Sequence, residues 1–152
     1  MKIFSFSGSS GSGKTTVIKN LISVLSSKYR IMYIKDMPHG NISLDTEGKD
    51  TWIMENAGAA ITYGLAPEKT YMMSEGHTDL EDIISSRSSI DMVFIEGFRF
   101  NNYGTKFLVL GNEEYLKSKP DYVIRANNNT YMGKCFKYPD DINLLLNLIT
   151  AN

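Results

Sequence analysis

Gly8-Ser9-Ser10-Gly11-Ser12-Gly13-Lys14-Thr15-Thr16 fits the pattern G-x-x-x-x-G-K-[ST], and its setting in the chain decides the fold. Before it, Met1 to Phe6 read as a short strand carrying Ile3, Phe4 and Phe6. After it, Val17, Ile18, Leu21, Ile22 and Leu25 recur on one helical face. Strand, glycine loop and helix in that order form the context in which this pattern cradles phosphate. The alternative is a flexible Gly/Ser turn, which needs no such flanks.

The residue types follow from the chemistry of polyphosphate. Gly8, Gly11 and Gly13 permit turns that a Cβ would obstruct, so successive N–H groups can converge on one anion. Ser9, Ser10 and Ser12 supply the intervening loop amides. The helix beginning near Lys14 adds its dipole and unpaired N–H donors. Lys14 is expected to reach the β- and γ-phosphates, and the Thr15 hydroxyl to ligate Mg²⁺. Thr16 is expected to support the α-phosphate or the helix start.

Working outward, Arg30 to Asp36 read as a second strand, apolar enough to be expected near the centre of a parallel sheet. A polar stretch from Met37 to Lys49 follows, broken by Pro38, Gly40 and Gly48. It leaves the carboxyl end of a strand, where ligands sit in open α/β sheets. Asp50 predicts the cap or first turn of a helix over about Thr51 to Ala57, closed by Gly58. Two β-like runs, Ala59 to Tyr63 and Thr70 to Met73, flank a turn at Pro67, and a polar helical pattern spans Asp79 to Arg87.

Met92-Val93-Phe94-Ile95 is a compact apolar strand ending in Glu96. A carboxylate there can hold Mg²⁺, directly or through water, opposite Thr15. Lys14 and Glu96 are therefore the candidate catalytic pair, and Asp36, ending the second strand, is a rival or companion metal ligand. Further strands are expected over Lys106 to Leu110 and Tyr122 to Ile124, with a short helix over Glu113 to Lys117. A last helix after Pro139-Asp140-Asp141 carries Ile142, Leu145, Leu146 and Ile149 as its core stripe. The alternation predicts an α/β, three-layer P-loop NTPase fold with a mostly parallel central sheet. With 152 residues, one nucleotide-binding domain over 1–152 is expected.

Composition narrows the partners. Lys plus Arg number 16 against 17 for Asp plus Glu, so there is no basic excess to suggest nucleic acid or a membrane surface. Such near-neutrality permits self-association. Cys135 is the single cysteine, which excludes an internal disulfide and points to a reducing, cytoplasmic compartment; it reads as a small apolar packing residue. The amino-terminal apolar stretch ends too early in the glycine loop for a signal peptide, and no run reaches the roughly 18 residues of a membrane span. His39 and His77 lack partners at metal-ligand spacing, Trp52 reads as a packing or dimer contact, and Arg99 as a loop cation near phosphate, across a dimer interface, or solvated or ion-paired at the surface.

Gly8 to Thr16, Ile34-Lys35, His39, Asp45, Gly48-Lys49-Asp50-Thr51, Ala57-Gly58-Ala59 and Phe94-Ile95-Glu96-Gly97-Phe98 occur in an order that resembles the molybdopterin-guanine dinucleotide biosynthesis protein B family. The resemblance covers about residues 1 to 100. It implies a dimeric, GTP-binding protein with weak GTPase activity that assists a molybdopterin guanylyltransferase, with GTP and Mg²⁺ as its cofactors. It also implies that the Asp45 to Asp50 loop lies over the nucleotide or a partner site. The chain departs from the family pattern at Asp36, where a His is usual, and at Pro38-His39-Gly40, which replaces a His-rich loop. The Asn-Lys-x-Asp signature of guanine specificity is absent, leaving the Arg125 to Asn128 loop as a candidate for base contact. Two other classes share the glycine loop: a small-molecule or nucleoside kinase, which would need an arginine-bearing lid that four scattered arginines do not suggest, and a non-catalytic nucleotide-dependent adaptor.

Overall fold

The computed structural model describes residues 1–38, 44–98, 103–111, 113–126 and 131–151. The chain forms two compact units, one from residues 1–36 and 87–152, the other from residues 37–86.

The first unit is built on a six-stranded sheet. Its strands are β1 (Lys2–Ser7), β2 (Ile31–Lys35), β5 (Met92–Glu96), β6 (Thr105–Val109), β7 (Tyr122–Arg125) and β8 (Phe136–Lys137). The order is β2-β5-β1-β6-β7-β8, and every pairing is parallel. Two helices, α1 (Lys14–Leu25) and α4 (Ile142–Thr150), bury their apolar stripes on one face of it. Val17, Ile18, Leu21 and Leu25 meet Phe4, Phe6, Phe94 and Phe107, with Leu145 and Ile149 in the same cluster. Alternation along each strand sends these residues to one side, as a period of two requires. Phe6 stacks between Phe94 and Phe107 at centroid distances of 5.7 and 4.9 Å, within the range of favourable ring pairs. Leu108, Leu110 and Val123 face the other side, where Tyr115, Leu116, Tyr131 and Cys135 cover them. Cys135 is thus a half-buried packing residue.

One expectation is corrected. β2 is an edge strand, not a central one; among the described residues it pairs only with β5. Its apolar residues are half-buried while Tyr33 and Lys35 are exposed, and a lysine on an edge discourages further strand pairing. The buried centre belongs to β5, all five of whose residues are buried, and to β1 beside it. The two-residue strand β8 is too short to leave a periodic signal.

The second unit contains α2 (Asp50–Asn56), an antiparallel hairpin of β3 (Ile61–Ala66) and β4 (Lys69–Ser74), and α3 (Leu80–Ser85). Pro67 and Glu68 make the hairpin turn, as the breaker signal predicts. Ahead of α2, Asp45 accepts the Thr51 hydroxyl at 2.6 Å and the Thr46 N–H at 2.8 Å. Gly48 takes φ +82°, which suits glycine, so this is the turn and helix entry read from the sequence. α2 lies against the face of the hairpin that holds Gly64, where a Cβ would stand 3.8 Å from Thr51 Cγ2.

Candidate functional site

The site is assembled where β1 turns into α1. Gly8 has φ +148°, and a Cβ there would stand 2.3 Å from the Val109 carbonyl oxygen and 2.8 Å from Ser12 Oγ. Only glycine lets the chain pass so close to β6 at this angle. Gly11 (φ +72°) and Gly13 (φ +96°) complete the turn, and Gly13 is the left-handed residue from which α1 starts. No side chain caps α1, so its first N–H groups keep the positive end of the helix open to an anion. Ser12 Oγ is buried beneath the loop with no hydrogen-bond partner among the described residues.

The Lys14 ammonium lies over this loop, donating to the carbonyl oxygens of Gly8 (2.9 Å) and Ser9 (2.7 Å). Its pKa is lowered chiefly by burial; the charge of Glu96 opposes this, and the smaller effect of Lys35 nearby adds to the lowering. An ammonium held in that balance gains from a polyanion, because each phosphate oxygen replaces lost solvation with charge.

Glu96 ends β5 beside Phe6 of β1 and Lys35 of β2. It is only 4% exposed, a burial that a carboxylate tolerates when donors surround it. Thr15 donates its hydroxyl to Oε1 at 2.8 Å, Tyr33 donates its hydroxyl to Oε2 at 2.8 Å, and Lys35 Nζ stands 3.8 Å from Oε1. Tyr33 is held well above the usual phenol range by burial, by this hydrogen bond and by the Glu96 charge.

These residues fit Mg²⁺. Thr15 directs its one hydroxyl proton at Glu96, which leaves its oxygen lone pairs for a cation. A hydroxyl and a carboxylate are hard oxygen donors, and Mg²⁺ takes few protein ligands, filling its shell with water and phosphate. No cluster of three or more His, Cys, Asp or Glu occurs among the described residues, and such a site needs none. The glycine cradle likewise fits a polyphosphate. Bound there, the cation would neutralise phosphate charge, with Lys14 as the protein's own cation on the same group.

The predicted pieces converge in part. Gly8 to Thr16 and Glu96 come together in one place, with Thr16 exposed on α1. Asp36 directly follows β2 and is engaged elsewhere: its Oδ2 accepts the Phe98 N–H at 3.1 Å, and its backbone N–H donates to the Glu96 carbonyl at 2.8 Å. With Ser7, Gly8, Gly97, Phe98 and Tyr115 it lines a cavity of about 130 Å³. Gly97 and Phe98 both have positive φ there (+103° and +47°), and a Cβ on Gly97 would meet Asp36 Cβ at 2.5 Å. His39, Arg99 and residues 127–130, including the end of the candidate base loop, lie outside the described residues. His77 pairs loosely with Asp79 at 3.8 Å on the exposed surface, and Trp52 is half-buried on α2. Tyr33 escaped the sequence reading, because its role depends on the register between β2 and β5 and no local motif encodes that.

Known proteins resemble this chain in sequence and in fold. The family model described as "Molybdopterin guanine dinucleotide synthesis protein B" matches residues 3–123. The Haemophilus influenzae "Molybdopterin-guanine dinucleotide biosynthesis adapter protein" is 31% identical over 135 residues, 84% of this chain and 74% of that protein. The Escherichia coli protein of the same name is 30% identical over 103 residues, 64% of this chain and 59% of its own length. The crystal structure of Bacillus subtilis MobB superposes with a TM-score of 0.79 at 25% identity, covering both chains fully. A homolog from Bacillus stearothermophilus, 18% identical with a TM-score of 0.72 over both full chains, shares the fold. The chain therefore belongs to the molybdopterin guanine dinucleotide synthesis protein B (MobB) family.

Proposed function

We propose that this chain is a GTP-binding accessory protein of molybdenum cofactor biosynthesis, a weak Mg²⁺-dependent GTPase that assists a molybdopterin guanylyltransferase in guanylylating molybdopterin. The observation that carries the reading is the Thr15–Glu96 hydrogen bond at the mouth of the glycine loop, in a chain whose relatives are named for molybdopterin-guanine dinucleotide biosynthesis. Guanine as the base rests on the family resemblance. Slow turnover is expected because Gly97-Phe98-Arg99-Phe100-Asn101-Asn102, following Glu96, offers no Gln or carboxylate to orient an attacking water.

Two further parts of the reading have their own support. The hairpin presents Ile61, Tyr63 and Leu65 of β3 with Met72 of β4 on one side, at 57, 57, 80 and 54% exposure. So much apolar surface favours a protein partner, and a second copy of the chain gives the homodimer. A single half-buried cysteine suits a reducing, cytoplasmic setting; no helix among the described residues is long and apolar enough to cross a membrane.

The name these relatives carry, "adapter protein", favours a second version in which nucleotide sets conformation and hydrolysis is incidental. Multi-turnover GTP hydrolysis with and without a molybdopterin guanylyltransferase tests the choice. Slow hydrolysis that the partner stimulates supports the first version, and Mg²⁺-dependent binding without turnover supports the second. Rapid phosphoryl transfer to a small acceptor would instead make it a kinase.

A further inference from the structure

Tyr33 sits on the edge strand β2, two residues before Lys35, so both side chains leave the same face. Lys35 is directly opposite Glu96 in the parallel register, and Tyr33 is opposite Phe94. Glu96 is therefore the diagonal neighbour of Tyr33. Diagonal neighbours stand about 7–8 Å apart, within reach of an aromatic side chain. The phenol closes that gap, placing its hydroxyl 2.8 Å from Oε2.

The three donors around Glu96 do different things. Thr15 comes from α1 and takes Oε1, on the phosphate-loop side. Lys35 is half exposed and 3.8 Å from the same oxygen, a contact that water screens and side-chain motion loosens. Only Tyr33 engages Oε2 among these three, so it is the contact that stops the carboxylate turning about its last bond. With Oε2 held, Oε1 stays directed at Thr15, and the Thr15 proton stays directed at Oε1. That keeps the Thr15 lone pairs free for a cation. Packing does not explain Tyr33, since it is 43% exposed and its hydroxyl would meet water equally well elsewhere.

We propose that Tyr33 is a positioning residue for the divalent-cation site, acting through Glu96 to aim the Thr15 hydroxyl. This rests on the reading of Thr15 and Glu96 as the Mg²⁺ end of a nucleotide site. Groups that orient metal ligands without touching the metal are commonly worth about 10–100-fold in metal affinity.

The test is Tyr33→Phe, which keeps the ring and removes only the hydroxyl. Calorimetric titration with GTP gives the affinity in EDTA and across a Mg²⁺ series, and thermal melting reports the fold. The expected result is a Mg²⁺ half-saturation point raised about tenfold with metal-free affinity unchanged, and a melting temperature lowered modestly by the loss of one donor to a buried carboxylate. In a Glu96→Gln background the same substitution should add almost nothing, because its effect passes through that carboxylate. An unchanged Mg²⁺ series would overturn the proposal, as would a uniform loss of metal-free and metal-supported binding, which marks a merely structural residue. Wild-type protein separates the two levels: if it binds GTP with Mg²⁺ dependence that Glu96→Gln abolishes, a silent Tyr33→Phe removes this inference alone. If wild-type binding ignores Mg²⁺, both fall together.

Discussion

Thr15 on the first turn of α1 and Glu96 at the end of β5 are 81 residues apart in the chain and joined by a 2.8 Å hydrogen bond. The parallel pairing of β1 with β5 makes this possible, since it aligns Phe6, the last buried residue before the glycine loop, with Glu96. Glu96→Gln keeps the size and a partial acceptor but removes the charge that attracts a divalent cation. Mg²⁺ enhancement of nucleotide binding should fall by about tenfold or more, while binding in EDTA changes little. A metal titration followed by calorimetry checks this, and an unaltered Mg²⁺ series would remove Glu96 from the cation site.

Lys14 is the ammonium at the centre of the cradle, and removing it leaves a dense phosphate group facing only amides. Lys14→Ala should weaken triphosphate binding by about tenfold to more than a hundredfold, the equivalent of about 1.5–3 kcal/mol for a charge-assisted hydrogen bond. Stability should suffer little, because among the described residues the half-buried ammonium bonds two loop carbonyl oxygens, those of Gly8 and Ser9. Equal affinities for the two proteins would show that the loop does not hold phosphate through Lys14.

Leu65 is 80% exposed near the tip of the hairpin. If that face pairs two copies, Leu65→Asp places a charge in an apolar interface and should convert dimer to monomer. The melting transition of the monomer should move little, since a surface substitution is usually worth within about 0.5 kcal/mol. Sedimentation equilibrium of the two proteins distinguishes the cases, and identical masses would exclude this face as the contact.

The glycine loop, the helix after it and the carboxylate-ended strand β5 were legible because each has a local signal. Three glycines at fixed spacing, an apolar stripe from Val17 to Leu25 and an unbroken run from Met92 to Ile95 need no knowledge of the rest of the chain. The rank of β2 in the sheet was not legible. A short apolar strand reads alike at the centre and at the edge, and only the exposure of Tyr33 and Lys35 separates them. Tyr33 was hidden for the same reason, since its hydroxyl matters through a register between strands 61 residues apart that composition cannot express. Asp36 was legible as a carboxylate at a strand end. Its bond to the Phe98 N–H depends on a backbone bend at Gly97 and Phe98 that only the folded chain reveals.

The central claim is that the Gly8 to Thr16 loop binds a nucleoside triphosphate with a magnesium ion on the Thr15 hydroxyl oxygen, beside Glu96. Calorimetric titration of the wild-type chain with GTP and with ATP, each in Mg²⁺ and in EDTA, tests it most directly. The expected result is saturable binding of GTP at one site per chain, tightened by Mg²⁺ and stronger than that of ATP. No binding of either triphosphate, or binding indifferent to Mg²⁺, would contradict it.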